Sequence, residues 1–282
     1  MKLGISHVEI MWAFEQRGCP VCFLIRRTEE RHLFGFAWEQ VTDGFIRERL
    51  AASLGFCPRH TWQLKAVEEE QIHSHLGAAI VYEDMASRVQ EGLREMAAAQ
   101  RKSAGEAPRG LAAALRTRIG NILRQCLPGT RRDELLLFAT MPSRVFPRDE
   151  CPLCANVRFS VAANLRGILD GCLDSGFREA YQRSDGLCLP HLRQALALAD
   201  REQREQALFL LETATHKLDG LLALLREHLR KQSYQFQSEP RTAEEERSWR
   251  RVLAFMAGEE ETLSRTTPST LTRSIRELSA LQ

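Results

Sequence analysis

Six cysteines and two histidines repeat one pattern in two parts of this chain. In each copy a C-P-x-C pair is followed by a third cysteine in C-x-x-H, 35 residues on in the first copy and 34 in the second. The residues are Cys19, Cys22, Cys57 and His60 in the first copy and Cys151, Cys154, Cys188 and His191 in the second. Three thiolates and one imidazole form the ligand set of a closed tetrahedral zinc site. The pattern predicts one zinc ion in each copy and two per chain. Iron–sulfur clusters are the alternative, because they also accept cysteine and histidine ligands.

The local chain around the third cysteine of each copy also suits metal binding. Cys57 and Cys188 fall at apparent helix starts, where the positive end of the helix dipole lowers the pKa of a thiol. His60 and His191 then lie on the first helical turn, facing the same point. Closure of such a site requires the 34 or 35 residues between the cysteine pairs to go out and come back, as a helical hairpin does.

The two copies match outside their cysteines and histidines as well. Gly44-Phe45 precedes the third cysteine of the first copy by thirteen residues, and Gly176-Phe177 precedes that of the second copy by twelve. Gly55 and Gly186 each lie two residues before the third cysteine. An internal duplication explains these matches, with a length change of one residue between the Gly-Phe pair and the following glycine.

Length and composition favour a soluble globular protein. The 282 residues are 44% apolar and 27% charged, as in ordinary globular chains, and the net charge of +2 predicts no particular partner. No apolar run approaches the roughly 20 residues that cross a bilayer, and the first fourteen residues lack a signal-peptide core. We therefore expect a cytoplasmic protein without a transmembrane segment, in which paired cysteines more often indicate metal or redox chemistry than a disulfide.

The periodicity of the apolar residues predicts an all-α fold of two pseudo-repeated modules, since no stretch alternates as a half-buried strand does. Residues 1–100 are predicted to form the first Cys3His module and residues 101–140 a basic linker with an amphipathic helix. Residues 141–282 are predicted to form the second module, with a long helix from Leu192 to Ser233 and further C-terminal helices.

The stretch from Arg101 to Arg132 is strongly basic, with eight basic residues against Glu106 alone. Apolar residues recur in it at helical spacing: Leu111, Leu115, Ile119, Ile122 and Cys126. One interpretation is a helix that docks on the protein with its basic face in solvent. The other is a surface for an anionic partner, either nucleic acid or a membrane surface.

Two later blocks, LREHLRKQSYQFQSEP and EERSWRRVLAFMAGE, carry a family resemblance together with the cysteine–histidine copies. The chain resembles, over almost its whole length, a bacterial helical family known only as a domain of unknown function. The matching positions in these blocks are Arg230, Lys231, Tyr234, Phe236, Glu239, Pro240, Ser248, Trp249 and Arg250. Gln232-Ser233 is a departure, because a more acidic or histidine-containing pair is expected there. The resemblance implies a helical fold and cysteine-ligated metal but no reaction.

The same blocks contain the candidate residues of a ligand pocket, which are Lys231, Tyr234, Phe236, Glu239, Trp249 and Arg250. In this interpretation Tyr234 and Trp249 stack on a ligand, while Arg250 or Glu239 binds a polar group. The alternative is structural: the aromatic side chains pin the last helix onto the long one.

Four further candidate ligands are predicted to be structural or exposed. Cys126 and Cys172 fall outside the repeated pattern and are expected to be small core residues. His73 and His75 are two residues apart, which points them to different helix faces rather than to one ion.

The leading functional hypothesis is a metal-stabilised, non-catalytic scaffold or regulatory binding protein of unknown ligand. A saturated Cys3His site has no open position for substrate, and no phosphate loop, nucleophile elbow or H-E-x-x-H motif is present. Whether the chain is an enzyme stays open. The alternatives are an iron–sulfur or thiol redox protein and a nucleic-acid-binding regulator that uses the face of Arg101–Arg132. C-P-x-C also occurs in thioredoxin-like sites, but there it follows a strand, and none is expected here.

Overall fold

The computed structural model describes residues 5–105 and 144–259. Within these two ranges the chain is helical and contains no strand, which confirms the predicted all-α class. None of the helices in them is long and apolar enough to cross a membrane. Most of the basic linker, including Cys126, lies outside the described residues, and so does the C-terminal segment from Glu260 onward.

Five helices form the described part of the N-terminal half. They are α1 (Ile5–Phe14), α2 (Pro20–Gly35), α3 (Gly44–Ser53), α4 (Pro58–Val67) and α5 (Leu76–Gly105). Two short π-helical turns extend α2 and α4 at their C-terminal ends, over Phe36–Gln40 and Glu68–Ile72.

The described part of the C-terminal half also contains five helices. They are α6 (Pro152–Gly171), α7 (Ser175–Arg183), α8 (Leu189–Leu198), α9 (Arg204–Arg230) and α10 (Ala243–Ala257). The predicted long helix is confirmed as α9, but its predicted extent from Leu192 to Ser233 is wrong, because α8 ends at Leu198 and α9 begins at Arg204. Asp200 causes the break: its Oδ1 accepts hydrogen bonds from the backbone N–H groups of Glu202 and Gln203, both at 2.9 Å.

Aspartate caps reveal the true register of the two copies. Asp43 Oδ1 accepts from the N–H of Ile46 at 2.9 Å, and Asp174 Oδ1 accepts from the N–H of Phe177 at 2.9 Å. Each aspartate lies fourteen residues before the third cysteine of its copy. Phe177 therefore corresponds to Ile46 rather than to Phe45, and in agreement Phe177 is buried whereas Phe45 is 69% exposed.

The length change between the copies consequently lies before the aspartate caps, not after the Gly-Phe pairs as predicted. The first copy has the extra residue, and only its α2 continues into a π-helical turn, Phe36–Gln40. A π-helical hydrogen bond joins residues five apart instead of four, so this turn accommodates one more residue than an α-helical turn.

The described contacts divide the chain into two compact units whose bounds differ from the predicted modules. Unit 1 consists of Met1–Leu33 and Leu153–Gln282, and unit 2 consists of Phe34–Pro152. The chain thus leaves unit 1 within α2 and returns to it at the start of α6. The predicted modules follow one another along the chain, whereas unit 2 is one continuous segment inserted between the two segments of unit 1.

In unit 1, α1 packs against α7 through aromatic side chains. The ring of Phe14 makes edge contacts with Phe177 at 5.0 Å and with Tyr181 at 5.5 Å. Cys172 is fully buried in the same core, which confirms its prediction as a core residue, and burial raises the pKa of its thiol to about 12. This core also contains residues of α2 and α8, and so it positions two of the helix ends described next.

In unit 2, α3 and α5 are joined by a partly buried ion pair between Arg47 and Asp84, with an N–O distance of 2.9 Å. Leu50, Leu64 and Val81 are fully buried and belong to α3, α4 and α5 respectively. These contacts fix the N-terminal end of α4, which carries two of the predicted ligands.

Candidate metal centres

The eight predicted metal ligands come together in two groups of four, and within each group the ligand atoms all lie within 4.8 Å of one another. Group 1 consists of Cys19, Cys22, Cys188 and His191, and group 2 consists of Cys57, His60, Cys151 and Cys154. The prediction that each copy holds its own ion is therefore wrong. The C-P-x-C pair of each copy lies with the C-x-x-H pair of the other copy.

The two units explain this exchange. The C-P-x-C pair of the first copy belongs to unit 1 together with the C-x-x-H pair of the second copy. Cys57 and His60 belong to unit 2 together with Cys151, and Cys154 follows Cys151 by three residues. The two copies share a local sequence pattern, but the C-P-x-C pair of each meets the C-x-x-H pair of the other.

All four ligand pairs occupy the same place on a helix. The first residue of each pair directly precedes the helix, and the second lies three positions later, within the first turn. The helices are α2, α4, α6 and α8, and each has proline at its first or second position. Proline suits this place because its missing N–H would have no partner there.

The residue before a helix and the third residue of that helix are the two positions whose side chains meet in a capping box. The same geometry here brings a thiol and an imidazole together. Cys57 and Cys188 have extended backbones, with ψ of 164° and 159°, and neither side chain caps its own helix. Their sulfur atoms are therefore turned toward the histidine instead of the backbone.

Group 1 has the spacing of a compact four-ligand set. The Nδ1 atom of His191 lies 3.5 Å from Cys19 Sγ, 3.5 Å from Cys22 Sγ and 3.1 Å from Cys188 Sγ. The sulfur atoms of Cys22 and Cys188 are 3.8 Å apart.

Group 2 repeats this geometry. The Nδ1 atom of His60 lies 3.3 Å from Cys57 Sγ and 3.4 Å from Cys151 Sγ. His60 is 1% exposed, and Cys151 is also buried. Both groups therefore present Nδ1 of histidine, and three of the four ligands are buried in group 1 and two of the four in group 2.

Each group lies at the N-terminal ends of two helices, α2 and α8 for group 1 and α4 and α6 for group 2. Three thiolates carry a charge of −3, so a bound divalent cation leaves a net charge of −1. The positive ends of two helix dipoles stabilise this residual negative charge. The backbone thus supports the metal-bound form of each group without any further charged side chain.

The ligand atoms of group 1 perturb one another's pKa values. Burial raises the pKa of the Cys19 thiol, whereas hydrogen bonds with Cys188 and Cys19 lower that of Cys22. Burial also opposes the charged form of His191, but its contacts with Cys188 and Cys22 raise the pKa of His191 to about 9. A metal ion that binds these donors would compete with protons for them.

The C-terminal end of α10 completes the surroundings of group 1. Glu259 Oε1 accepts a hydrogen bond from the N–H of Cys19 at 3.2 Å, and a hydrogen bond from the backbone of Glu259 lowers the pKa of Cys22. A Cβ atom at Gly258 would lie 3.6 Å from Cys22 Sγ and 3.9 Å from Cys188 Sγ. The close approach of this backbone, together with a φ of 91°, explains a glycine at position 258.

An ionic bridge holds the same region together. Asp185 accepts a hydrogen bond from the N–H of Gly18 at 2.7 Å and pairs with Arg251 of α10 at 3.2 Å. The chain just before Cys19 is thereby tied to α10 at a second point.

A tyrosine hydroxyl accepts the N–H of the residue just before the third cysteine in both copies. In group 1 the N–H of Leu187 donates to Tyr181 at 3.2 Å, and in group 2 the N–H of Phe56 donates to Tyr82 at 3.3 Å. Tyr181 belongs to α7, within its copy, whereas Tyr82 comes from α5, beyond its copy. Tyr82 also bonds Thr61 Oγ1 at 2.5 Å, and burial raises its pKa.

The predicted pocket residues lie at the turn between α9 and α10. Lys231 is buried, and its Nζ contacts both carboxylate oxygens of Glu245 at 2.9 Å. Tyr234 is 80% exposed and Trp249 is 44% exposed. The ion pair therefore joins α10 to α9 here, and a role of the aromatic side chains in this contact stays a prediction.

The other predicted pocket residues pair with one another or with close neighbours. The guanidinium of Arg230 lies over the ring of Phe236 at 4.5 Å and also pairs with Glu239. The guanidinium of Arg250 lies over the ring of Trp249 at 5.2 Å. A ligand pocket formed by these residues stays a prediction.

Sequence reasoning missed several supporting residues. Thr242 and Glu245 form a capping box, which the T-x-x-E spacing before an apolar helix signals in the sequence. Glu259 and Tyr82 carry no such signal, because each comes from outside the copies. Asp185 lies three residues before Cys188, but its partners Gly18 and Arg251 are distant in the chain.

The fold and the site together define a class: an all-α protein with two Cys/His groups, each able to hold a metal ion. Within that class, the chain belongs to a family of unknown function, DUF6062, whose model matches residues 1–262. No curated protein and no solved structure matches it significantly.

Proposed function

We propose that this chain is a non-catalytic scaffold or regulatory binding protein in which one zinc ion stabilises each group of ligands. The observation that carries the proposal is the convergence of two complete Cys3His sets, each with its ligand atoms within 4.8 Å. Both sets are built on helix N-termini that are themselves fixed by buried cores.

The spacing of the ligand atoms supports a single ion over an iron–sulfur cluster. A tetrahedral zinc ion with usual bond lengths places two sulfur ligands about 3.8 Å apart and a sulfur and a nitrogen about 3.5 Å apart. Cys22 Sγ lies 3.8 Å from Cys188 Sγ and 3.5 Å from His191 Nδ1. A cluster distributes its ligands over several iron atoms, so the sulfur atoms of different irons are farther apart.

The completeness of each set supports a structural role. Catalytic zinc sites have three protein ligands and leave the fourth position to water or substrate. Here a fourth protein ligand occupies that position in both groups, and the third cysteine of each set directly precedes a helix fixed in a unit core. The residues that would hold the ion would therefore fill its coordination sphere and leave no position for water or substrate.

Elemental analysis with an absorption scan tests the proposal on protein purified without oxygen. We expect two zinc ions per chain and no visible absorption. A brown, iron-containing protein would overturn the assignment in favour of the cluster alternative.

Removal of the metal tests the structural role. An ion that binds only the folded form stabilises it by mass action, and structural zinc contributes on the order of 10 kcal/mol in small peptides. We therefore expect chelation to lower the melting temperature sharply, measured by circular dichroism, while part of the helix content persists. An unchanged melting temperature after complete metal release would contradict a structural metal.

A further inference from the structure

Helix α9 has a second apolar face besides the one that packs into unit 1. Its buried residues are Gln206, Leu210, Thr213, Ala214 and Leu221. The second face, here called the leucine stripe, consists of Leu208, Leu211, Thr215, Leu218, Leu222, Leu225 and Leu229. Successive stripe residues are alternately three and four positions apart, which is the heptad spacing of a coiled coil.

The leucine stripe faces away from the core of unit 1. At 100° per residue its mean direction lies about 120° around the helix axis from the buried face. Leu208 is 53% exposed, Leu211 is 41% exposed and Leu229 is 59% exposed, while the three central leucines are half-buried. Six leucines along one helix are far more apolar surface than a solvated helix needs.

We propose that the leucine stripe is a self-association face, on which a second copy of this chain packs its own α9 in antiparallel orientation. Such a contact is isologous, because one patch meets the same patch across a two-fold axis. Pairing from Leu211 to Leu229 gives a coiled coil about 27 Å long, at 1.5 Å per residue. Each pair of facing stripe residues then contains at least one leucine, and only the two pairs that include Thr215 contain a polar residue.

Charges beside the stripe favour the antiparallel orientation. The flanking heptad position is occupied by Glu212 and Asp219 in the first half of the stripe and by Arg226 in the second half. In an antiparallel pair these positions face each other, so Glu212 lies beside Arg226 of the partner subunit, and the symmetry repeats this pair. Asp219 lies at the two-fold axis, where it faces Asp219 of the partner subunit.

A parallel pair lacks this complementarity. In a parallel pair, the charged flanking residues of one helix would lie beside the other flanking heptad position of the partner helix. That position is occupied by Ala214, Leu221 and His228. Ala214 and Leu221 are buried in unit 1. The charged residues would therefore gain no partners of opposite sign.

The test measures the mass of the full chain by light scattering and sedimentation over a range of concentrations. We expect a dimer, and we expect the double variant Leu211→Glu/Leu229→Glu to weaken it by on the order of 100-fold, because unpaired charges would be buried. Leu173→Glu is the matched control, since Leu173 is 71% exposed and lies outside α9.

Charge reversal then tests the orientation. Glu212→Arg and Arg226→Glu should each weaken the dimer by about threefold to tenfold, and the combined variant should restore it. Asp219→Asn should strengthen the dimer, because it removes the like charges at the axis.

Three results would overturn the proposal: a monomer at every concentration, a dimer that tolerates Leu211→Glu/Leu229→Glu, or no restoration by the combined reversal. A monomer whose melting temperature falls in Leu211→Glu/Leu229→Glu would show that another segment of the same chain covers the stripe.

Discussion

Groups 1 and 2 use the same ligands in the same geometry but are supported in different ways. In both, two helix N-termini supply a cysteine pair and a cysteine–histidine pair. Group 1 is closed by the end of α10, with Gly258 and Glu259 against its cysteines. Both groups use a tyrosine hydroxyl beside the third cysteine, but group 2 takes Tyr82 from α5, outside its copy, whereas group 1 takes Tyr181 from within its copy. The two copies therefore share their ligand types, while part of the support comes from elements outside the copies.

The exchange of ligand pairs also affects how much chain each group closes. Within a copy the C-P-x-C and C-x-x-H pairs are 35 or 34 residues apart, whereas 166 residues separate Cys22 from Cys188 and 91 separate His60 from Cys151. Closing the longer loops costs only about 1 kcal/mol more for each group, because the entropy of loop closure grows with the logarithm of length. Loop length alone therefore does not decide the pairing.

The largest expected effect comes from pairs of cysteine substitutions. Cys19→Ser/Cys188→Ser damages group 1 alone, so one ion should remain. Cys19→Ser/Cys57→Ser damages both groups, so no tightly bound ion should remain and the melting temperature should fall further. Elemental analysis of the two purified variants measures this. If the order is reversed, with one ion in the second variant and none in the first, each copy binds its own ion.

Tyr82→Phe should weaken group 2 and leave group 1 unchanged. The substitution removes the hydroxyl that pairs with the N–H of Phe56 and with Thr61, at a cost of about 1–2 kcal/mol. Transfer of metal to a coloured chelator is the measurement, made in backgrounds that keep only one group. Tyr234→Phe is the control, because Tyr234 is 80% exposed. Faster release from group 1 would contradict the difference between the two supports.

Gly258→Ala should weaken group 1 and leave group 2 unchanged. Its φ of 91° disfavours any residue with a Cβ atom, so we expect a cost of about 1 kcal/mol and faster metal release from group 1 only. Gly220→Ala is the matched control, because a Cβ atom there meets nothing within 4 Å. That control should stabilise α9 by about 0.5–1 kcal/mol. Equal effects at both groups would show that the end of α10 is not a support of group 1.

The smallest expected effect is a dependence of group 1 on alkaline pH. Glu245 raises the pKa of Lys231, so the stabilisation by this ion pair is complete below the ordinary lysine pKa. It is lost only as pH rises through the raised value. Because the pair holds α10 on α9, metal release from group 1 should accelerate above about pH 10.5 while group 2 responds less. Lys231→Met should remove the difference in rate between pH 9 and pH 11, and a difference that persists in this variant would exclude the ion pair as its cause.

The ligand residues could be predicted from the sequence because their chemistry and spacing are local. A cysteine before a helix and a histidine in its first turn converge through the backbone of one turn, so C-P-R-H and C-L-P-H indicate this geometry directly. The pairing could not be predicted, because each copy contains a complete set of ligand types. Alignment of Asp43 with Asp174 would have given the correct register, because each aspartate caps the first turn of its helix. The Gly-Phe pairs mislead, because Phe45 and Phe177 lie at positions of the two helices that differ by one residue.

Helix boundaries show the same limit. The break between α8 and α9 depends on a short turn held by the side chain of Asp200, and apolar periodicity does not reveal such a turn. The supports from Tyr82 and Glu259 depend on the tertiary path of α5 and α10, so no local pattern indicates them.

The crossed arrangement of the ligand pairs has a consequence for synthesis of the chain. A ribosome delivers Cys19 and Cys22 first, yet their partners Cys188 and His191 emerge more than 160 residues later. Group 2 becomes complete as soon as Cys154 is available, so it can take up its ion while group 1 still lacks half of its donors. During that interval Cys19 and Cys22 have no bound metal, so their thiols can be oxidised or can form a disulfide with another cysteine. Metal loading should therefore proceed from the inner group to the outer one.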